Sequence, residues 1–237
     1  MALDLNNKKI LITGSTDGLG RKLAIELSKL GAKIIIHGRN QEKATKVLGD
    51  LEGNDHGILI CDFNKPNEIA ERFSVVKELD VLVNNAGLWS EGDTLDIDPG
   101  RILEMVNVNT ASYLLATRVL LPTLLKSDFA QVLNVISVAG YEIPAGFFHT
   151  TYTATKYALQ GYSEAMAKEF ENRNLRIMGY YPGGMNTELF VKAGLDYKEN
   201  EPWMFDTMES VEAIIFMLTR NKKISIKRMD LVNHMLR

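Results

Sequence analysis

The sequence predicts an α/β fold, a doubly wound, seven-stranded, mostly parallel sheet with helices on both faces, in a single domain over residues 1–237. Two observations carry this expectation. Short apolar runs alternate with helical patterns from end to end, which is how parallel strands joined by crossover helices read. The first apolar run also ends in a glycine cluster directly before an amphipathic helix. A chain of 237 residues can bury a core of the size this fold needs, and no linker, repeat or low-complexity tract divides it.

The elements follow in order. Lys9 to Thr13 forms the first strand around Ile10-Leu11-Ile12, and Gly18 to Leu30 the first helix, with Gly31 as its stop signal. Lys33 to His37 (Ile34-Ile35-Ile36), Gly57 to Asp62 and Val81 to Asn84 supply the next strands, with helices at Gln41 to Leu51 and Pro66 to Lys77 between them. A long helix is expected over Asp98 to Ser127, then a strand over Val132 to Ser137, a helix over Thr151 to Arg173 and a strand over Arg176 to Tyr181. Thr187 to Asp206 has no clear period, contains Gly194, Pro202 and several aromatics, and reads as a mobile excursion covering a site. A helix over Met208 to Thr219 and a strand over Ile224 to Leu231 complete the chain.

Composition narrows the function classes. The net charge of −3, with lysines and arginines dispersed apart from Lys222-Lys223 and Lys227-Arg228, gives no footprint for nucleic acid. Apolar stretches are broken well before the roughly 18 residues of a membrane span, so neither a membrane partner nor export is expected. Cys61 is the one cysteine, which excludes an intrachain disulfide and points to the cytoplasm; it reads as a small buried residue at a strand end. No metal site is expected.

Thr13-Gly14-Ser15-Thr16-Asp17-Gly18-Leu19-Gly20 lies between the first strand and helix. Glycines permit a tight turn and close approach of backbone to a pyrophosphate, which the helix N-terminus attracts through free N–H groups. The spacing is Gly-x-x-x-Gly-x-Gly rather than the commoner Gly-x-Gly-x-x-Gly. Far along the chain, Tyr152 and Lys156 stand one helical turn apart and share a face. A phenol has an unperturbed pKa of about 10, and a neighbouring ammonium favours its phenolate, so the pair is suited to proton transfer at a substrate oxygen.

Thr13 to Gly20, Asn84-Asn85-Ala86-Gly87, Ser137, Tyr152-x-x-x-Lys156 and Pro182-Gly183 occur in the order seen in short-chain dehydrogenases/reductases, and the chain resembles the short single-domain branch of that family over essentially its whole length. The resemblance implies a Rossmann-type fold and an oxidoreductase that interconverts a carbonyl and a secondary alcohol. Two departures are visible: Ser137 and Tyr152 are slightly further apart than usual, and the tail lacks the Asp-Gly-Gly ending common in tetrameric members.

For the cofactor, the resemblance implies contacts from Gly14, Ser15, Thr16, Gly18, Leu19 and Gly20, adenine contacts from Asp62 and Phe63, and ribose contacts from Asn85, Ala86 and Gly87. Pro182, Gly183 and Thr187 are expected beside the nicotinamide. Gly38 stands where NAD-preferring members carry Asp, and Arg39 can hold a 2′-phosphate through a charge-assisted contact, so NADP(H) is expected over NAD(H). The basic residue that many NADP-preferring relatives place in the glycine loop is here Thr16.

For catalysis, the resemblance assigns Tyr152 as acid/base, Lys156 as the group that lowers its pKa and contacts the nicotinamide ribose, and Ser137 as hydrogen-bond donor to the carbonyl oxygen. Asn109 matches the family asparagine of the proton relay, with Asn107 as an alternative. Tyr141, Phe147, Phe148, Met185, Leu189, Phe190, Trp203, Met204 and Phe205 flank the site and suit either an apolar substrate or mutual packing. A 3-oxoacyl reductase is a narrower reading; Arg173 would suit an acidic carrier, whereas Asp128 stands where such an enzyme needs a basic residue. A catalytically silent NADP(H) sensor or scaffold is the alternative from another class, disfavoured because Ser137, Tyr152 and Lys156 are all present. The long helices Asp98 to Ser127 and Thr151 to Arg173 are candidate surfaces for a homodimer or homotetramer.

Overall fold

In a computed structural model that describes residues 3–143, 148–197 and 201–234, seven strands form one sheet in the order β3-β2-β1-β4-β5-β6-β7. The strands are β1 (Lys9–Ile12), β2 (Lys33–Gly38), β3 (Gly57–Ile60), β4 (Val81–Asn84), β5 (Gln131–Val135), β6 (Arg176–Pro182) and β7 (Arg228–Leu231). Every neighbouring pair is parallel, so the sheet is wholly rather than mostly parallel. Burial on both faces accounts for the continuous apolar runs of the central strands: every residue of β4 and β5 is buried.

The helices are α1 (Gly18–Lys29), α2 (Gln41–Gly49), α3 (Pro66–Phe73), α4 (Pro99–Val106), α5 (Ser112–Leu124), α6 (Thr150–Glu169), α7 (Leu189–Lys192) and α8 (Thr207–Leu218). Alternate strand residues face opposite layers. Ile10, Ile12, Ile34 and Ile36 pack with Leu23 and Leu27 of α1 and Ile214 and Met217 of α8. Leu11, Leu82, Val132 and Ile177 pack with Phe73 of α3, Leu120 of α5 and Met166 of α6. Among the described residues, no helix is long and apolar enough to cross a membrane.

Three expected elements differ. The single helix over Asp98 to Ser127 is α4 and α5 joined by a π-turn at Asn107–Ala111, an insertion that turns the buried Asn109 inward. The last strand starts at Arg228 instead of Ile224, because the Arg176 guanidinium donates to the carbonyls of Leu218, Arg220 and Ile224 and draws that segment away from the ladder. The excursion after β6 contains α7, and its ends are tied by Asn186 N–H to the Phe205 carbonyl (3.1 Å) and Phe205 N–H to the Gly184 carbonyl (3.1 Å). Phe147 lies outside the described residues.

Strand order reverses between β1 and β4, so the loops leaving their C-terminal ends diverge and open a crevice. A buried amide chain fixes the floor of this region. Asn84 donates to Asn134 (2.8 Å) and to Thr117 (3.0 Å), and Asn134 donates to Ser163 (2.8 Å), joining β4, β5, α5 and α6.

Candidate active site

The loop after β1 is built around Gly14, whose φ of +63° and whose closeness to Ala86 both exclude a side chain: a Cβ there would lie 2.8 Å from the Ala86 Cα. Thr13 Oγ1 accepts from the N–H groups of Asn85 (2.9 Å) and Ala86 (3.0 Å), while the Asn85 amide donates to the Thr13 carbonyl (2.8 Å). The loop is therefore held to the end of β4 before any ligand is considered. Asp17 caps α1 by accepting from Gly18 N–H at 2.7 Å.

A cleft of about 660 Å³ runs from this loop across the strand ends. One end is lined by Thr16, Gly38, Arg39, Asp62 and Phe63, the middle by Gly14, Gly18, Leu19 and Asn85 to Gly87, and the far end by Ser137, Tyr152, Lys156, Pro182, Gly183 and Thr187. These are the expected cofactor and catalytic positions, gathered in the order a dinucleotide would meet them. The narrow backbone approach at Gly14 and the α1 N-terminus fit a pyrophosphate. Ser15, Gly20 and Asn109 are absent from the lining. Ser15 is buried, and its hydroxyl accepts from the His37 N–H (2.9 Å), so it braces the loop against β2.

Tyr152 and Lys156 lie on the buried face of α6, one turn apart. Burial pushes the Tyr152 phenol up to about 12, and the neighbouring Ser137 hydroxyl opposes that rise. Lys156 is pushed down to about 7 by burial. Its Nζ donates to the Val135 carbonyl at 3.3 Å and stands 5.5 Å from the Tyr152 ring centre. Burial is the leading influence on both groups, and the Lys156 ammonium is directed at a carbonyl.

Asn109, not Asn107, is the inward amide. It accepts from Leu88 N–H (2.7 Å) and donates to the Leu88 carbonyl (2.9 Å) and to Thr155 (3.3 Å), which ties the π-turn to the loop after β4 and to α6. Asn107 points to Asn64 instead (3.4 Å). Asn109 is therefore engaged with Leu88 and Thr155 and does not line the cleft.

Several lining residues escaped the sequence. His37 accepts from Gly14 N–H at 3.1 Å and stacks on Phe63 with ring centres 4.3 Å apart; burial pushes it down to about 3, against a smaller opposing effect of the Cys61 backbone. Cys61, also in the lining, is pushed up to about 11 chiefly by burial, which disfavours its thiolate. Trp89 covers Tyr152 at 4.4 Å between ring centres and reaches Phe190 of α7 at 5.0 Å. From the same excursion, Lys192 pairs with Asp17 and with Glu188. His149, one turn before Tyr152, had a signal in its helical spacing; Lys192 and Tyr197 had none, because their contacts depend on how the excursion folds back.

The chain matches the short chain dehydrogenase family over residues 8–198. It is similar to an NADP-dependent 3-hydroxy acid dehydrogenase of Schizosaccharomyces pombe, at 32% identity over 94% of this chain and 91% of that protein. An oxidoreductase of Staphylococcus aureus strain USA300 shares 26% identity over 94% of this chain and 95% of the relative. Among solved structures, an alcohol dehydrogenase from the archaeon Thermococcus sibiricus, complexed with 5-hydroxy-NADP, superposes with a TM-score of 0.88 at 21% identity, covering 98% of this chain and 99% of that one. A closed serine dehydrogenase complexed with NADP+ gives 0.86 at 23% identity, covering 97% and 96%. With this fold, this ordered cleft and this match, the chain belongs to the short-chain dehydrogenase family of nicotinamide-dependent oxidoreductases.

Proposed function

We propose that the protein is an NADP(H)-dependent oxidoreductase that interconverts a carbonyl and a secondary alcohol by Tyr152 acid/base catalysis. The observation that carries this reading is that Ser137, Tyr152 and Lys156 line the same cleft as the glycine loop. NADPH, when bound, supplies the hydride. The protein's own work is to hold the substrate oxygen between the two hydroxyls, Ser137 donating to it as negative charge develops and Tyr152 delivering the proton. Lys156, one turn along α6, is the group to hold the nicotinamide ribose and, when charged, to favour the phenolate. Asn109 is a positioning residue that keeps Leu88 and α6 in register.

The NADP(H) preference is supported by Gly38 and Arg39 at one end of the cleft, where no carboxylate from β2 repels a 2′-phosphate. NADP is also named for several similar proteins. We read residues 187–206 as the cover over the substrate, and the aromatic lining of Trp89, Phe190 and Trp203 as the wall for an apolar part of it. The 3-oxoacyl reading is weakened by Asp128, which is engaged by Lys8 and Lys222. Exposed Leu103 and Val106 on α4 support a homodimer or homotetramer, which light scattering would size. A cytoplasmic setting suits the free, buried Cys61 thiol.

The test is NADPH oxidation with a panel of aldehydes and ketones, run beside cofactor titration. Turnover that stops in Tyr152→Phe supports the reading; tight NADPH binding with no turnover on a broad panel favours the sensor.

A further inference from the structure

Charge is unevenly distributed along the cleft. The cationic side chains of its described lining are Arg39 at the end of β2, Lys192 paired with Asp17 at the glycine loop, and Lys156 bonded to Val135. All three belong to the dinucleotide side or lie beneath it. Beyond Tyr152, the lining mixes aromatic and aliphatic side chains with the carboxylates of Glu91 and Glu142, while Glu188 is paired with Lys192 and His149 is held below its ordinary pKa mainly by burial.

Glu91 is fixed in place. Its carboxylate accepts from Tyr197 (3.1 Å) and from the Trp89 indole N–H (3.4 Å), both uncharged donors. The following residue, Gly92, donates its N–H to the Phe148 carbonyl at 2.7 Å, anchoring the loop beside the start of α6. Because Trp89 also covers Tyr152, one indole separates the Glu91 charge from the phenol. A half-buried carboxylate with neutral donors, beside the rings of Trp89, Tyr197 and Trp203, is complementary to a cation.

We infer that Glu91 selects substrates by charge, favouring a carbonyl compound or alcohol that carries an ammonium group and disfavouring anionic ones. The inference rests on the oxidoreductase reading for where the substrate lies. It also separates this chain from its 3-hydroxy acid dehydrogenase relative, whose named substrate class is anionic: the described substrate side offers such a carboxylate no lysine or arginine.

Three ketones of one shape test it: 4-(trimethylammonio)acetophenone, acetophenone and 4-acetylbenzoate, used with the full chain saturated with NADP+. Both tryptophans, Trp89 and Trp203, line the cleft, so quenching of intrinsic fluorescence reads ketone binding without turnover. In the unaltered protein the cationic ketone should bind tightest and the anionic one weakest. Glu91→Gln keeps acceptors for Tyr197 and Trp89 but removes the charge. It should weaken the cationic ketone and strengthen the anionic one by about tenfold each, the order expected for a unit charge roughly 7 Å away at an effective dielectric of about 40, and leave acetophenone unchanged. Tyr197→Phe, which alters the cover but spares the charge, should preserve the order. Equal changes for all three ketones in Glu91→Gln would overturn the proposal and leave Glu91 as a tether for the cover. Charge-ordered binding with no reduction of any ketone by NADPH would sink the reductase reading and keep this one.

Discussion

The Lys156 ammonium donates to the Val135 carbonyl at 3.3 Å, in a site where burial brings its pKa to about 7. In the unfolded chain the same group titrates near 10.5. Between these values unfolding takes up a proton, so stability should rise as pH climbs from about 7 toward 10.5. Lys156→Met, of similar length but uncharged, should lose that slope, raise Tm near neutral pH and abolish most turnover. Thermal melts of both proteins across this window check the sign; parallel curves would refute it.

Tyr152→Phe removes the proton donor while leaving the ring packed against Trp89. Turnover should fall by about 10²–10⁴-fold, with NADPH affinity within a few-fold of the unaltered protein. Steady-state kinetics beside a cofactor titration separates the two effects, and full turnover in the variant would end the proposed mechanism.

Gly38 touches the glycine loop so closely that a Cβ there would lie 2.5 Å from Thr16 Cγ2. Gly38→Asp therefore combines a steric displacement of Thr16 with a negative charge at the 2′-phosphate position, and Gly38→Ala isolates the first. The alanine variant should weaken NADPH and NADH alike. The aspartate should weaken NADPH further by at least about tenfold, the scale of one charge-assisted hydrogen bond, as should Arg39→Ala. Equal losses for both cofactors in all three variants would remove the case for NADP(H).

His37 joins the glycine loop to the core and is held neutral, at about 3 against 6.5 for the free side chain. Below 6.5 the unfolded chain binds a proton that the folded one refuses, so stability should decline as pH falls through this range. Urea unfolding between about pH 4 and 7 should show a one-proton slope that His37→Gln, which keeps an acceptor for Gly14 N–H, lacks. The same slope in both proteins would assign the acid sensitivity elsewhere.

Asn109→Leu leaves both backbone groups of Leu88 without their side-chain partner. The two groups are part-buried, so the low end of the usual cost applies, about 1 kcal/mol each, and Tm should drop by roughly 4–8 °C. Because the amide does not face the cleft, the loss of turnover should be smaller than in Tyr152→Phe. Calorimetry together with kcat on one substrate distinguishes this from direct participation in the proton relay.

The alternation of apolar runs and the glycine cluster after β1 determined the fold class and the approximate position of most strands, while the list of cleft residues came from the ordered motifs shared with the family rather than from any one local pattern. The first two signals are local: a strand period and a turn that excludes side chains are each written within a few residues. Only the tertiary structure shows that burial, which residue spacing cannot report, is the leading influence on both Tyr152 and Lys156. It also decided between Asn107 and Asn109 through the π-turn. It brought Glu91, Tyr197 and Lys192 to the site from segments far apart in sequence, and no local pattern could announce contacts made by an aperiodic excursion folding back over the strand ends.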